Sequence, residues 1–188
     1  NLSFAKNALP PKSSRPLLLV NPAASKPERS WTVEGYVAAI KHAQETHNAE
    51  VVLIGGPSQH DQELGFAIKQ HVKVVDLIGK TRIPQLMAII SLADAVICPD
   101  TGPSHMGAAV GTPVIALHAV TSIDVSGPYI YKHYCVDMYP QAVIEVLHKT
   151  METNIWGTHA HGDATMQLVK IPDVLAKVDE VLSSVARA

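Results

Sequence analysis

The chain alternates short apolar runs with longer stretches in which apolar side chains recur every three or four residues. The short runs fall at 17–20, 50–54, 72–77, 96–98 and 114–117. Runs of this length, mostly apolar, predict strands buried on both faces, as in a parallel sheet. The periodic stretches predict helices at 32–47, 58–70, 83–93, 103–110, 141–151 and 173–186. In the first of these, Tyr36, Val37, Ile40 and Ala43 form one stripe, and Trp31 reads as a packing anchor near its start. Leu86, Ile89, Ile90 and Ala93 form the stripe of the third. Val174, Leu175, Val178, Val181 and Leu182 form that of the last, which Pro172 opens. Residues 130–136 suit a further strand and 154–163 an irregular loop. Residues 1–16 carry three prolines and little periodicity, and are expected to be a linker or the edge of a longer chain.

Strands and helices alternating at this short period predict an α/β fold, a parallel sheet with helices on both faces. The expected organisation is a three-layer domain over 17–171 followed by a helical tail over 172–188. Open parallel sheets bind ligands beyond the carboxyl ends of their strands. Here those ends carry 21–29, 55–61, 79–81, 100–105 and 118–129, where polar and glycine residues gather. Residues 94–117 read as strand, polar loop, short helix and strand, with Pro103 suited to the first helical position and Gly111 closing the helix. A helix start preceded by Asp100, Thr101 and Gly102 offers backbone N–H groups to an anion. The same residues also suit an ordinary crossover in which Asp or Thr caps the helix, and position alone leaves both readings open.

Composition narrows the chemistry. A net charge of −2 and a pI near 6.6 advertise no basic field for nucleic acid or anionic membrane. No apolar run approaches the roughly 20 residues of a membrane span, and residues 1–15 lack the apolar centre of a signal peptide. Cys98 and Cys135 show no metal or redox spacing, so a reduced, cytoplasmic setting is expected. Gly55-Gly56-Pro57 lacks the dinucleotide spacing, no phosphate-loop motif for ATP hydrolysis occurs, and no nucleophile elbow is present. Ser104 and His105 are adjacent and do not face each other on a helix. His159-Ala160-His161 with Asp163 lies in a loop without metal-ligand spacing, so it is read as solvated and no metal is expected. His42, His47, His60, His71 and His148 occupy helical or helix-edge positions and are expected to face water.

One long ungapped block carries a family resemblance. Cys98-Pro99-Asp100-Thr101-Gly102-Pro103-Ser104-His105-Met106-Gly107-Ala108-Ala109-Val110-Gly111-Thr112-Pro113 resembles the D-T-G-x-x-H-x-A-A-x-G-T-P signature of glycosyltransferase family 9, the ADP-heptose:lipopolysaccharide heptosyltransferases. Asn21-Pro22-Ala23-Ala24 with Arg29-Ser30-Trp31 resembles the family's phosphate loop and its (K/R)-x-W element. Ile54-Gly55-Gly56-Pro57 is similar to its L-x-G-G-P turn, and Thr121-Ser122 through Gly127-Pro128-Tyr129 to its T-D/S-x-x-x-x-G-P-Y run.

The resemblance implies a Rossmann-like domain, the C-terminal half of a two-domain GT-B glycosyltransferase whose other half holds the acceptor and the general base. The implied reaction transfers heptose from ADP-heptose to the lipopolysaccharide inner core, inverting and metal-independent, with no cofactor beyond the donor substrate. It implies a cytoplasmic enzyme of a Gram-negative bacterium, peripheral to the inner membrane. By the same resemblance Arg29, His105 and Asp100 are the catalytic candidates. Ala24, Lys26, Gly55, Gly56, Asp61, Gly79, Leu86, Thr101, Gly102 and Thr121 are the donor-binding ones. Thr101 and Gly102 would hold the pyrophosphate, Arg29 or Lys26 would counter the charge of the leaving ADP, Gly79 and Leu86 would line the adenine, and Asp61 or Glu63 would take the ribose. Asp100 would bind sugar hydroxyls or fix the loop. His118-Ala119-Val120 departs from the family's frequent F-G-P, which leaves a UDP-sugar enzyme of the same architecture, or a non-catalytic nucleotide-binding domain, as alternatives.

Overall fold

A computed structural model describes residues 1–185. The elements run α1 (Leu2–Ala8), β1 (Leu17–Val20), α2 (Val33–His47), β2 (Glu50–Leu53), α3 (Gln59–Lys69), β3 (Val75–Asp76), α4 (Ile83–Ile90) and β4 (Ala95–Pro99). They continue through α5 (Gly102–Val110), β5 (Val114–His118), α6 (Ile123–Ser126), β6 (Val136–Asp137), α7 (Tyr139–Glu145) and α8 (Ile171–Val185). The expected end of the last helix at Ala186, and the tail to Ala188, lie outside the described residues.

The six strands form one parallel sheet in the order β3-β2-β1-β4-β5-β6. The chain winds outward one way from β1 and then the other way from β4, so the strand order reverses between β1 and β4. That is where open α/β sheets leave a crevice.

Alternation along each strand builds two cores. Leu18, Val20, Val51, Leu53, Ile97, Ile115 and Leu117 point to one face, under α2 and α8. Leu19, Val52, Ile54, Val96, Cys98, Val114 and Ala116 point to the other, under α1, α4 and α5. Because both faces are covered, the strands read as continuous apolar runs in the sequence.

Several expectations are corrected. The stretch expected as a linker carries α1, whose Ala5 and the following Leu9 are buried in the α4 side of the core. With only seven residues, α1 is too short for helical periodicity to show. The third strand shrinks from 72–77 to two residues because it is an edge strand with a partner on one side only. Residues 129–134 form a 3₁₀ segment rather than a strand, with β6 reduced to 136–137. The helix expected at 141–151 starts and ends earlier, as Tyr139–Glu145. Helix α5 begins one residue before Pro103, which therefore takes its second position. Trp31 is an anchor as expected: it is buried, its Nε1–H donates to the Val169 carbonyl, and its ring fills the space beside Gly35. Among the described residues, no helix is long and apolar enough to cross a membrane.

Candidate functional site

The β1 strand ends at Val20 and the chain runs into a polar loop closed by a 3₁₀ turn at Pro27–Arg29. This turn carries Arg29 across the switch point to the end of β4. Its Nη2 donates to the Asp100 carbonyl at 2.8 Å and to the Asp100 carboxylate at 2.5 Å. The same carboxylate oxygen accepts from Thr121 Oγ1 at 2.7 Å and Ser126 Oγ at 2.8 Å. One carboxylate therefore ties together the loops after β1, β4 and β5. Burial pushes its pKa up, but the Thr121 and Ser126 hydroxyls and the charges of His118 and Arg29 outweigh that, and it lies below the ordinary value.

Three donors on one oxygen tie Asp100 to the loops around it. They also change the expected electrostatics. Arg29 is not a bare cation, because Asp100 compensates it; its Nε is buried and has no partner among the described residues. Lys26 is exposed and makes no ion pair among the described residues, although its charge helps lower the pKa of nearby Glu28.

His118 ends β5 and is buried. Its Nδ1 lies 3.2 Å from the Thr121 carbonyl, which can only accept, so Nδ1 carries the proton. Nε2 is then an unprotonated acceptor, buried and without a partner among the described residues. Burial, the leading cause, holds the ring's pKa below 6.5 against the pull of the Asp100 charge. His118 was named in the sequence only as a departure from the family pattern. Ser126 stood inside a quoted run without being singled out.

Helix α5 starts beside the Arg29–Asp100 pair. Thr101 is its N-cap residue, yet its side chain makes no capping bond; its carbonyl accepts from the Ser104 amide and hydroxyl. Gly102 and His105 are exposed at this first turn. A helix start without a side-chain cap leaves N–H groups for solvent or an anion.

The remaining candidates divide. Ala24 is buried and its N–H donates to Ser30 Oγ, which also meets His60 Nε2 at 2.9 Å. His60 thus does not simply face water. Gly55 and Gly79 pack closely: the Gly79 N–H donates to the Gly55 carbonyl, and Gly79 has φ +71°. Asp61 accepts from the Gly56 N–H at 2.9 Å and is hydrogen-bonded to Ser58, so its carboxylate closes this turn. Leu86 is half-buried against the α4 core. Thr121 is buried, with its hydroxyl engaged by Asp100.

The His159–His161 segment, expected to be solvated, lies against the site. The Ala160 N–H donates to the Val120 carbonyl and His161 Nδ1 sits 3.2 Å from Glu28. His159 is half-buried; burial and then the Arg29 charge depress its pKa. By contrast, a cavity of about 600 Å³ lies at the opposite edge of the sheet, between the segment following α1 and the strand starts at Leu17 and Glu50.

The glycosyltransferase family 9 (heptosyltransferase) family model matches residues 1–155. This chain belongs to that family. The lipopolysaccharide core heptosyltransferase OpsX of Haemophilus influenzae is 31% identical over 170 residues, covering 89% of this chain and 49% of that protein. Among solved structures, the E. coli ADP-heptose lipopolysaccharide heptosyltransferase II superposes with a TM-score of 0.72 at 23% identity, covering 97% of this chain and 51% of that one. The E. coli heptosyltransferase WaaC with ADP gives 0.57 at 20% identity, covering 68% and 38%. The chain spans about half the length, or less, of these relatives. Membership covers the stretch expected to be a linker as well as the sheet.

Proposed function

We propose that this chain forms the donor half of a heptosyltransferase and binds ADP-heptose across the β1–β4 switch point. The observation that carries the reading is the Arg29–Asp100 brace beside the uncapped start of α5. The name of the Haemophilus influenzae relative and the ADP held by the E. coli structure support the choice of ligand. In this reading the Thr101–Gly102 backbone and His105 approach the diphosphate. The Arg29 guanidinium and Lys26 take the charge that grows on the leaving ADP. Fixed donors and cations at a developing anion lower the barrier because they need no rearrangement when the bond breaks. Asp100 would act by holding Arg29 and the β5 loop in place. The Gly55–Gly56 turn, Gly79 and Leu86 would receive the nucleoside.

The whole protein would then transfer heptose to the lipopolysaccharide inner core with inversion, without a metal or further cofactor. The acceptor and general base would lie on a second half, at the cytoplasmic face of the inner membrane.

Calorimetry with ADP, UDP and ADP-heptose tests the donor reading. Binding of ADP and ADP-heptose over UDP is expected. A folded sample that binds none of them at millimolar concentration overturns the donor site, and preference for UDP moves it to a UDP-sugar enzyme. Arg29→Ala is expected to weaken ADP more than AMP, since the guanidinium would act on the distal phosphate. Equal losses would contradict that role.

A further inference from the structure

Among the described residues, one group of His, Cys, Asp and Glu side chains converges closely enough to hold a metal ion: His42, His47 and Asp179. It is formed by two helices far apart in sequence. His42 and His47 lie in the last two turns of α2, and Asp179 lies in the middle of α8. Both imidazole Nε2 atoms are 2.6 Å from the same oxygen, Asp179 Oδ1. The three ligand atoms are within 4.8 Å of one another. His47 is the least exposed of the three, His42 follows, and Asp179 reaches solvent.

From this geometry we infer a divalent-metal site that bridges α2 and α8. Zinc bonded to nitrogen and oxygen at about 2.0–2.2 Å needs its ligand atoms roughly 3 Å apart, between the 2.6 Å contacts to Asp179 Oδ1 and the 4.8 Å within which all three atoms lie. Two neutral imidazoles and one carboxylate suit zinc, nickel or copper(II) rather than magnesium or calcium, which demand more oxygen ligands. Solvent at Asp179 supplies the remaining coordination position. The outer partner of one ligand is in place as well. His42 Nδ1 lies 3.4 Å from Thr46 Oγ1, so Nδ1 can donate to that hydroxyl while Nε2 meets the metal.

The ion would clamp the last helix to the domain. Val174, Val178, Val181 and Leu182 of α8 bury against the same core as Tyr36, Ala39, Ile40 and Ala43 of α2. The cluster sits beside that seam. A ligand that binds only the folded arrangement raises stability by mass action. The inference does not rest on the donor reading.

The test uses the whole chain, stripped with a chelator and titrated with zinc chloride by calorimetry and thermal unfolding. One ion per chain with micromolar affinity is expected, together with a midpoint that rises with zinc concentration. Asp179→Asn and His47→Gln should each weaken binding at least about tenfold and remove the thermal shift. A His159→Ala/His161→Ala variant should retain both. Should Asp179→Asn fail to fold, His42→Gln/His47→Gln replaces it, and cobalt(II) added to the wild-type chain should give a visible absorption band. Absence of stoichiometric binding by the wild-type chain overturns the site. Undiminished binding by the folded α2–α8 variants overturns it too, as would loss of binding in the His159/His161 variant alone.

Discussion

The Asp100 carboxylate is where three loops meet, and its surroundings make it costly to remove. With Asp100→Ala, a largely buried Arg29 loses its counter-charge, and Thr121 and Ser126 lose their acceptor. Breaking such a pair from one side costs about 3 kcal/mol or more, because an uncompensated charge stays behind. Thr121→Val removes one hydrogen bond to a charged group and should cost about 1.5 kcal/mol. Urea unfolding of the two variants checks both the magnitudes and their order. His118 adds a pH dependence of known sign. Its folded pKa lies below the ordinary 6.5, so the unfolded chain binds more protons as pH falls below that value. Stability from this group is complete above 6.5 and is lost towards the lowered folded value. The urea midpoint should therefore fall as pH drops below 6.5 towards the lowered folded value, and His118→Asn should shrink that fall. Asp100 acts further down: its contribution is present above 3.8 and disappears only as pH drops through its depressed value.

At the scale of elements, α5 matters most because its start faces the switch point. Its seat on the sheet depends on Gly107, where a Cβ would lie 2.5 Å from Val114 Cγ2 and 3.3 Å from the Thr112 carbonyl oxygen. Val114 is fully buried at the start of β5 and has nowhere to move. Gly107→Ala should therefore destabilise by about 2 kcal/mol despite alanine's better helix propensity, as overpacked cores do. A denaturant series measures this. If the variant is neutral, α5 is less tightly seated than its packing indicates. The helix itself was legible: small residues between Pro103 and Gly111, with Gly111 in the left-handed conformation at its end. The boundaries of β3, β6 and α7 were not. Edge strands of two residues and a seven-residue helix carry too few positions for periodicity to register.

For the whole molecule, the two cores are closed by elements from opposite ends of the sequence. Helix α1 covers the α4 side and α8 the α2 side. Removing residues 1–9 strips Ala5 and Leu9 from their burial and bares part of the α4 surface. At about 25 cal/mol per Å² of apolar surface, partly offset by the entropy of ordering a short helix, the loss should be about 2 kcal/mol. A lower urea midpoint for the shortened chain is the expected reading. An unchanged midpoint would mean that α1 only rests on the domain.

The sequence by itself determined the buried strands, their parallel arrangement, the edge at which polar loops gather, and the family to which the signature block points. These follow from local pattern, since burial on both faces writes itself into consecutive residues. Only the tertiary structure decided which atoms meet. Arg29 and Asp100 are 71 residues apart, and they pair because the strand order places β1 beside β4. His42 and His47 reach Asp179 because α2 and α8 cover the same face of the sheet. Hydrophobic pattern reports that a side chain is buried; it does not name its partner. Partners are set by strand order and helix packing, which join residues that nothing local links.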